Sequence, residues 1–175
     1  MRVLVVTKPS KYEWDKLRLT LSHREVMEKY ISEHANVDVI MAAHEYQLRV
    51  RKLFEAQIKS CSSDYPSMIM MSSLSGPISD FSPKKTSEYG LGLVVVLGGD
   101  NSFTYVSRYV GDVPILGVNS DPERSDGYLT QAHIHRDSDV DDVVQCIQSG
   151  NLHIEQWARL KVVVKYKLHA IPPLS

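Results

Sequence analysis

An apolar run, Val94-Val95-Val96-Leu97, stops abruptly at Gly98-Gly99-Asp100-Asn101-Ser102. A β-branched run without polar alternation reads as a strand buried on both faces, the hallmark of a parallel sheet covered by helices. Two residues without side chains let the backbone turn sharply and come close to a ligand. A helix beginning there presents the amides of Asn101, Ser102 and Phe103, where unpaired N–H groups and the helix dipole favour a phosphate. The layout repeats downstream, where Pro114-Ile115-Leu116-Gly117-Val118 delivers Asn119-Ser120-Asp121-Pro122-Glu123-Arg124-Ser125-Asp126-Gly127. Open parallel sheets bind ligands at the carboxyl ends of their strands, so both runs point to a nucleotide or phosphotransfer site.

Strands and helices alternate along the chain. Val3 to Thr7 is a β-branched strand, and Lys8-Pro9-Ser10-Lys11 turns the chain after it. Ser22-His23-Arg24-Glu25 has the form of a capping box, with Val26, Tyr30 and Glu33 following at helical spacing. Val50, Leu53, Phe54 and Ile58 fall on one face of a helix expected over 46–59. Residues 67–72 are a candidate second strand, and 73–89, rich in Ser, Pro and Lys, read as a long loop or insertion. Phe103, Val106 and Val110 form a helical stripe that Gly111 is expected to end as its C′ residue. Residues 115–118 form the next strand. Asp137-Ser138-Asp139 opens a helix that Gly150 follows, with Val143, Val144 and Ile147 facing inward. A β-like run covers 157–166, and Pro172-Pro173 cannot continue a central strand. The expected architecture is α/β: a parallel sheet with helices on both faces over residues 1–155, and the start of a second domain over 156–175.

Composition narrows the partners. In 175 residues, 20 Lys and Arg nearly balance 21 Asp and Glu, so neither nucleic acid nor an anionic membrane is favoured. Cys61 and Cys146 have no metal spacing and suggest no disulfide framework. No apolar stretch is long enough to span a bilayer, and the first strand begins at once, leaving no room for a leader. That start implies a cytoplasmic location unless a leader has been lost.

Asp100 is the candidate acid–base residue. A carboxylate beside a phosphate is repelled unless it takes a proton from an attacking hydroxyl or holds Mg²⁺; the alternative is a helix N-cap. Arg124 is read as a phosphate-facing cation, or as an ion-pair partner of Asp121 or Asp126. His133 and His135 face the same way in a strand but have no Cys or Glu cluster for zinc. The aspartates at 137, 139, 141 and 142 lack the order of a calcium loop and fit a helix N-terminus. No metal site is expected from these residues.

The Gly98-Gly99-Asp100 loop after an apolar strand resembles the Gly-Gly-Asp-Gly signature of NAD kinases, diacylglycerol and sphingosine kinases and phosphofructokinases. Gly117-Val118-Asn119-Ser120-Asp121-Pro122-Glu123-Arg124-Ser125-Asp126-Gly127 resembles the corresponding segment of the animal mitochondrial type of NAD kinase. Thr7-Lys8-Pro9-Ser10-Lys11-Tyr12-Glu13-Trp14 is similar to that family's opening strand and the step after it. Trp157-Ala158-Arg159-Leu160-Lys161-Val162 is similar to the entry into its second, β-rich domain. The resemblance implies transfer of a phosphoryl group from ATP, with Mg²⁺, to the 2′-hydroxyl of NAD. It implies Asp100 as the catalytic aspartate and Gly98, Gly99, Asn101 and Ser102 as the phosphate loop. Asn119, Ser120, Asp121 and Arg124 would line the nucleotide cleft. It also implies a homodimer in the full-length form and a mitochondrial location.

Two departures accompany the resemblance. The family has Gly where this chain has Asn101; if a positive φ is needed, Asn is the least costly replacement. The family's second domain carries an Asn-Glu pair that completes the dinucleotide site. No such dipeptide occurs here, and the expectation is a chain truncated in that domain and inactive alone. A non-catalytic nucleotide-binding fragment and a lipid or sugar kinase are the alternative readings.

Overall fold

The computed structural model describes residues 2–60, the backbone of 68–71, residue 88 and residues 90–158. The expected loop over 73–89, apart from residue 88, and the run from 159 onward lie outside the described residues. Residues 157 and 158 are in neither helix nor strand.

Five strands form one sheet: β1 Arg2–Thr7, β2 Met68–Met71, β3 Leu91–Leu97, β4 Ile115–Asn119 and β5 Ala132–His133. Their order is β2-β1-β3-β4-β5, and every neighbouring pair is parallel. The helices are α1 Lys11–Leu19, α2 His23–Ser32, α3 Val37–Ser60, α4 Asp100–Ser107 and α5 Asp137–Ser149.

The period-2 alternation of the two central strands decides where the helices lie. Val3 and Val5 of β1, with Leu93, Val95 and Leu97 of β3, pack with Val50, Phe54 and Ile58 of α3 and Val140, Val144 and Ile147 of α5. Leu4, Val6, Val94 and Val96 point the other way, against Val106 of α4 and Val110. Both faces of the sheet are therefore covered, as expected for near-continuous apolar strands. A third cluster, Tyr12, Val26 and Tyr30, joins α1 and α2.

Several local expectations are met and several corrected. Ser22 caps α2 in a reciprocal capping box with Glu25. A second box, Ser10 with Glu13, starts α1 directly after the turn. The helix expected over 46–59 begins earlier, at Val37, where the Asn36 side chain accepts from the Val39 amide at 3.1 Å. Gly111 does not end α4, which stops at Ser107; Gly111 lies beyond it at φ 55. Gly150 does cap α5 in the left-handed region, and Val140 joins its buried face.

Candidate functional site

The strand order contains one reversal. From β1 the chain goes outward to β2, then returns across β1 to β3 and continues through β4 to β5. The α3 helix between β1 and β2 and the α4 helix between β3 and β4 lie on opposite faces of the sheet, and a crevice opens beyond the carboxyl ends of β1 and β3. The Lys8–Ser10 turn and the Gly98–Gly99 turn flank that crevice.

The Gly-Gly turn is built as the sequence suggests, with different partners. Gly98 stands at φ 157, and a Cβ there would lie 2.6 Å from Ser102 Oγ. That Cβ would also lie 3.4 Å from Lys8 Cβ, so the turns after β1 and β3 are in contact range. Gly99 is the N-cap of α4, and Asp100 is its first helical residue. The N-cap alternative for Asp100 is corrected accordingly. The amides of Ser102 and Phe103 are bonded to the Gly99 carbonyl at 2.9 and 3.2 Å, which removes them from the phosphate-facing set. Asn101 is exposed in the first turn of α4 and has no positive φ, so the backbone reason for Gly at that position does not apply.

Asp100 reaches across to the loop after β4. Its Oδ2 accepts from the Tyr128 amide at 3.0 Å and its Oδ1 from the Leu129 amide at 2.8 Å. A Cβ on Gly99 would collide with Ser125 Oγ. The two sequence motifs thus meet: the loop after β4 folds onto the Gly-Gly-Asp turn.

Within that loop most of the expected site residues bond to one another. Asn119 is fully buried; its Nδ2 donates to the Ser125 carbonyl at 2.6 Å and its Oδ1 accepts from the Asp121 amide at 3.1 Å. Asp121 accepts from Gln47 Nε2 of α3 at 2.9 Å and from Arg124 Nη1 at 2.8 Å. Arg124 therefore takes its ion-pair alternative, with Asp121 rather than Asp126, and its nearest other carboxylate is Glu123 at 3.9 Å. Ser120 alone among the expected residues lines the cleft described next.

That cleft lies on the α3 face of the crevice, between Thr7, Lys8, Leu97 and Ser120 on the sheet side and Glu13, Gln47 and Arg51 on the helices. Thr7, Leu97 and Ser120 continue the series Val3-Val5, Leu93-Val95 and Val118 that faces α3. Glu13 Oε1 accepts from Arg51 Nη2 at 2.8 Å, and its Oε2 accepts from the Ser10 amide at 3.0 Å. Burial pushes the Glu13 carboxyl up, but the Arg51 guanidinium, the Ser10 amide and the nearby His44 outweigh it and hold it below the ordinary glutamate value. Ser10 Oγ also lies 2.8 Å from His44 Nδ1, tying the turn after β1 to α3.

Thr7, Lys8, Glu13, Gln47 and Arg51 are not read as site residues from the sequence. A usable signal exists: Thr7 is a polar residue at the buried end of an apolar strand. Gln47 and Arg51 stand one turn apart on the helix whose other face carries Val50 and Phe54.

The residues available for metal are few. Among the described residues no group of three or more His, Cys, Asp or Glu stands together. The rings of His133 and His135 stack at 6.4 Å and 12°, without a third ligand among those residues. Asp139 accepts from the amides of His135 and Arg136, in keeping with a helix N-terminus at that aspartate cluster. Each oxygen of Asp100 holds one backbone amide.

The fold is an α/β domain with a doubly wound parallel sheet and a crevice at its reversal point. Among known proteins, no family model and no curated protein matches the chain. Among the described residues no helix is long and apolar enough to cross a membrane.

Proposed function

We propose that the chain binds a nucleotide at the carboxyl edge of its sheet and acts as an NAD kinase domain, moving a phosphoryl group from ATP to the 2′-hydroxyl of NAD. One observation carries this reading: the Gly98–Gly99–Asp100 turn sits beside the reversal point, with the loop after β4 folded against it. The two glycines carry no side chains of their own, and the hydroxyls of Ser102 and Ser125 stand in the space beside them. Asp100 is the only carboxylate of that turn. Each of its oxygens accepts one amide and keeps a second lone pair, with which it can orient the ribose hydroxyl and take its proton. Mg²⁺ belongs here to the nucleotide phosphates, as substrate rather than as a resident ion.

A second reading, non-catalytic nucleotide binding, is favoured by the Tyr128 and Leu129 bonds, which already give Asp100 a structural task. The two readings separate in a single experiment. NADP formation from ATP, Mg²⁺ and NAD is measured alongside equilibrium binding of both nucleotides, on the chain, on any longer product of the same locus, and on Asp100→Asn in each. The kinase reading expects nucleotide binding by the chain, NADP from the longer product, and a loss of at least about a hundredfold in the longer product's Asp100→Asn, the usual scale for removing a general base. Nucleotide binding with no NADP from either selects the non-catalytic reading, and no binding of either nucleotide overturns both.

A further inference from the structure

The loop after β4 grips Asp100 through a turn. Residues 127–130 form a β-turn in which the Gly127 carbonyl accepts from the Thr130 amide at 3.1 Å and from the buried Thr130 hydroxyl at 2.7 Å. Neighbouring amides of an extended chain point to opposite sides, whereas the two central amides of a turn can converge on one anion. Here they belong to Tyr128 and Leu129, and the anion is Asp100, whose oxygens take one amide each, at 3.0 and 2.8 Å.

The turn has its own support. Gly127 stands at φ 66, in the left-handed region, and a Cβ there would lie 2.5 Å from both Asn119 Nδ2 and Thr130 Oγ1. Conformation and space both call for glycine. Asn119, the last residue of β4, is fully buried behind it. Its side chain donates to the Ser125 carbonyl at 2.6 Å and accepts from the Asp121 amide at 3.1 Å. On the exit side Gln131 Oε1 accepts from the Gly117 amide at 2.8 Å, and the Gln131 amide donates to the Gly117 carbonyl at 2.9 Å. The loop is therefore fastened to β4 at both ends by bonds that do not involve Asp100.

That closure decides what the Asp100 contact does. A loop latched by Asp100 would depend on the carboxylate for its shape, and this one has fastenings of its own. The two amides are what the finished loop offers outward. Two donors from one turn fix the rotation of the carboxylate about Cβ–Cγ. The second lone pair of each oxygen stays open to an incoming hydroxyl.

We infer that Asn119, Gly127 and Thr130 are positioning residues for Asp100: they shape the turn whose amides aim its carboxylate. The inference rests on the reading of Asp100 as the group that meets the substrate, but the support itself is tested without any reaction.

The test starts from proton–nitrogen NMR spectra of the chain, in which an amide proton bonded to a carboxylate lies downfield. Asp100→Ala is expected to move the Tyr128 and Leu129 amide protons upfield and to leave those of Asp121, Thr130 and Gln131 in place. Movement of all five together overturns the inference, because Asp100 is then the latch of the loop. So do Tyr128 and Leu129 amides that ignore Asp100→Ala. Gly127→Ala and Asn119→Ala are expected to carry the same two amide protons upfield, toward their Asp100→Ala positions. Thr130→Val, which removes only the hydroxyl bond, does so more weakly and serves where the other two fail to fold. Protons that stay in place, or move downfield, in the variants that fold overturn the inference. The chemical consequence is read on whichever product of the locus forms NADP. There Gly127→Ala is expected to lower kcat roughly ten- to a hundredfold at nearly constant KM, the scale of a carboxylate displaced by up to about 1 Å. A rise in KM with kcat unchanged overturns the positioning role. Absence of NADP from every product removes the kinase reading alone, and the amide protons still decide whether the turn aims Asp100.

Discussion

Thr20 closes α1 in the left-handed region at φ 53, with its amide bonded to the Lys16 carbonyl. A β-branched side chain is among the least suited to that conformation. Thr20→Gly is expected to stabilise the protein by about 1 kcal/mol, somewhat less once the added freedom of the unfolded chain is included. Urea unfolding at neutral pH measures it, and a loss of stability would show that the Thr20 side chain makes a contact worth more than the strain. Glu13 acts in another way. Its carboxyl is held below the ordinary value of 4.5, so its contribution is fully present above that value and is lost as pH falls through the lower, folded-state pKa. The gap in melting temperature between the parent and Glu13→Gln should therefore be widest near neutrality and shrink below pH 4.5. A gap independent of pH would mean that the Arg51 pair contributes nothing. Neither residue announced its role in the sequence. Arg51 lies 38 positions from Glu13, and Asp100 lies 28 from Tyr128, distances at which no spacing rule operates.

At the scale of elements, α3 is the helix that joins site to core. Its Val50, Phe54 and Ile58 pack on the sheet, while Gln47 and Arg51 reach Asp121 and Glu13. Phe54→Ala should cost about 3–5 kcal/mol, because a fully buried aromatic leaves a cavity between α3 and β1. Chemical denaturation reads this directly. The apolar face of α3, the capping box of α2 and the Gly150 stop of α5 were legible because each is a short-range pattern. The first two turns of α3 were not: their stripe, Val37, Ile40 and Met41, is short and only partly buried, packs against the α1–α2 cluster rather than the sheet, and starts from Asn36 as cap. The Gly111 stop misled for a related reason: a glycine with positive φ serves a turn as well as a helix end. Both sequence motifs lie at the sheet edge, as their position after apolar runs implied. Their mutual contact, and the cleft on the α3 side, arise from strand order, which no local pattern encodes.

At the scale of the molecule, the apolar contacts are uneven. β1 and β3 sit between two covered faces, whereas α1 and α2 share a smaller cluster around Tyr12, Val26 and Tyr30, joined by Val37, Ile40 and Met41 at the start of α3. Hydrogen exchange should find the amides of β1 and β3 slowest and those of α1 and α2 released earlier, as a separate unit. Equal protection throughout would show that the three clusters open together. The crevice has a consequence of a different order. It is assembled from segments near positions 7, 13, 47, 51, 97 and 120, which neighbour one another only when β1, β3 and β4 lie side by side with α1 and α3 packed at their ends. A partly unfolded form that has lost any of these has lost the crevice. A ligand seated there acts as a clasp on the entire chain: at a hundred times its dissociation constant it adds about 2.7 kcal/mol to global stability. Occupancy would then set how long the molecule survives proteolysis, making ligand supply a control on its abundance.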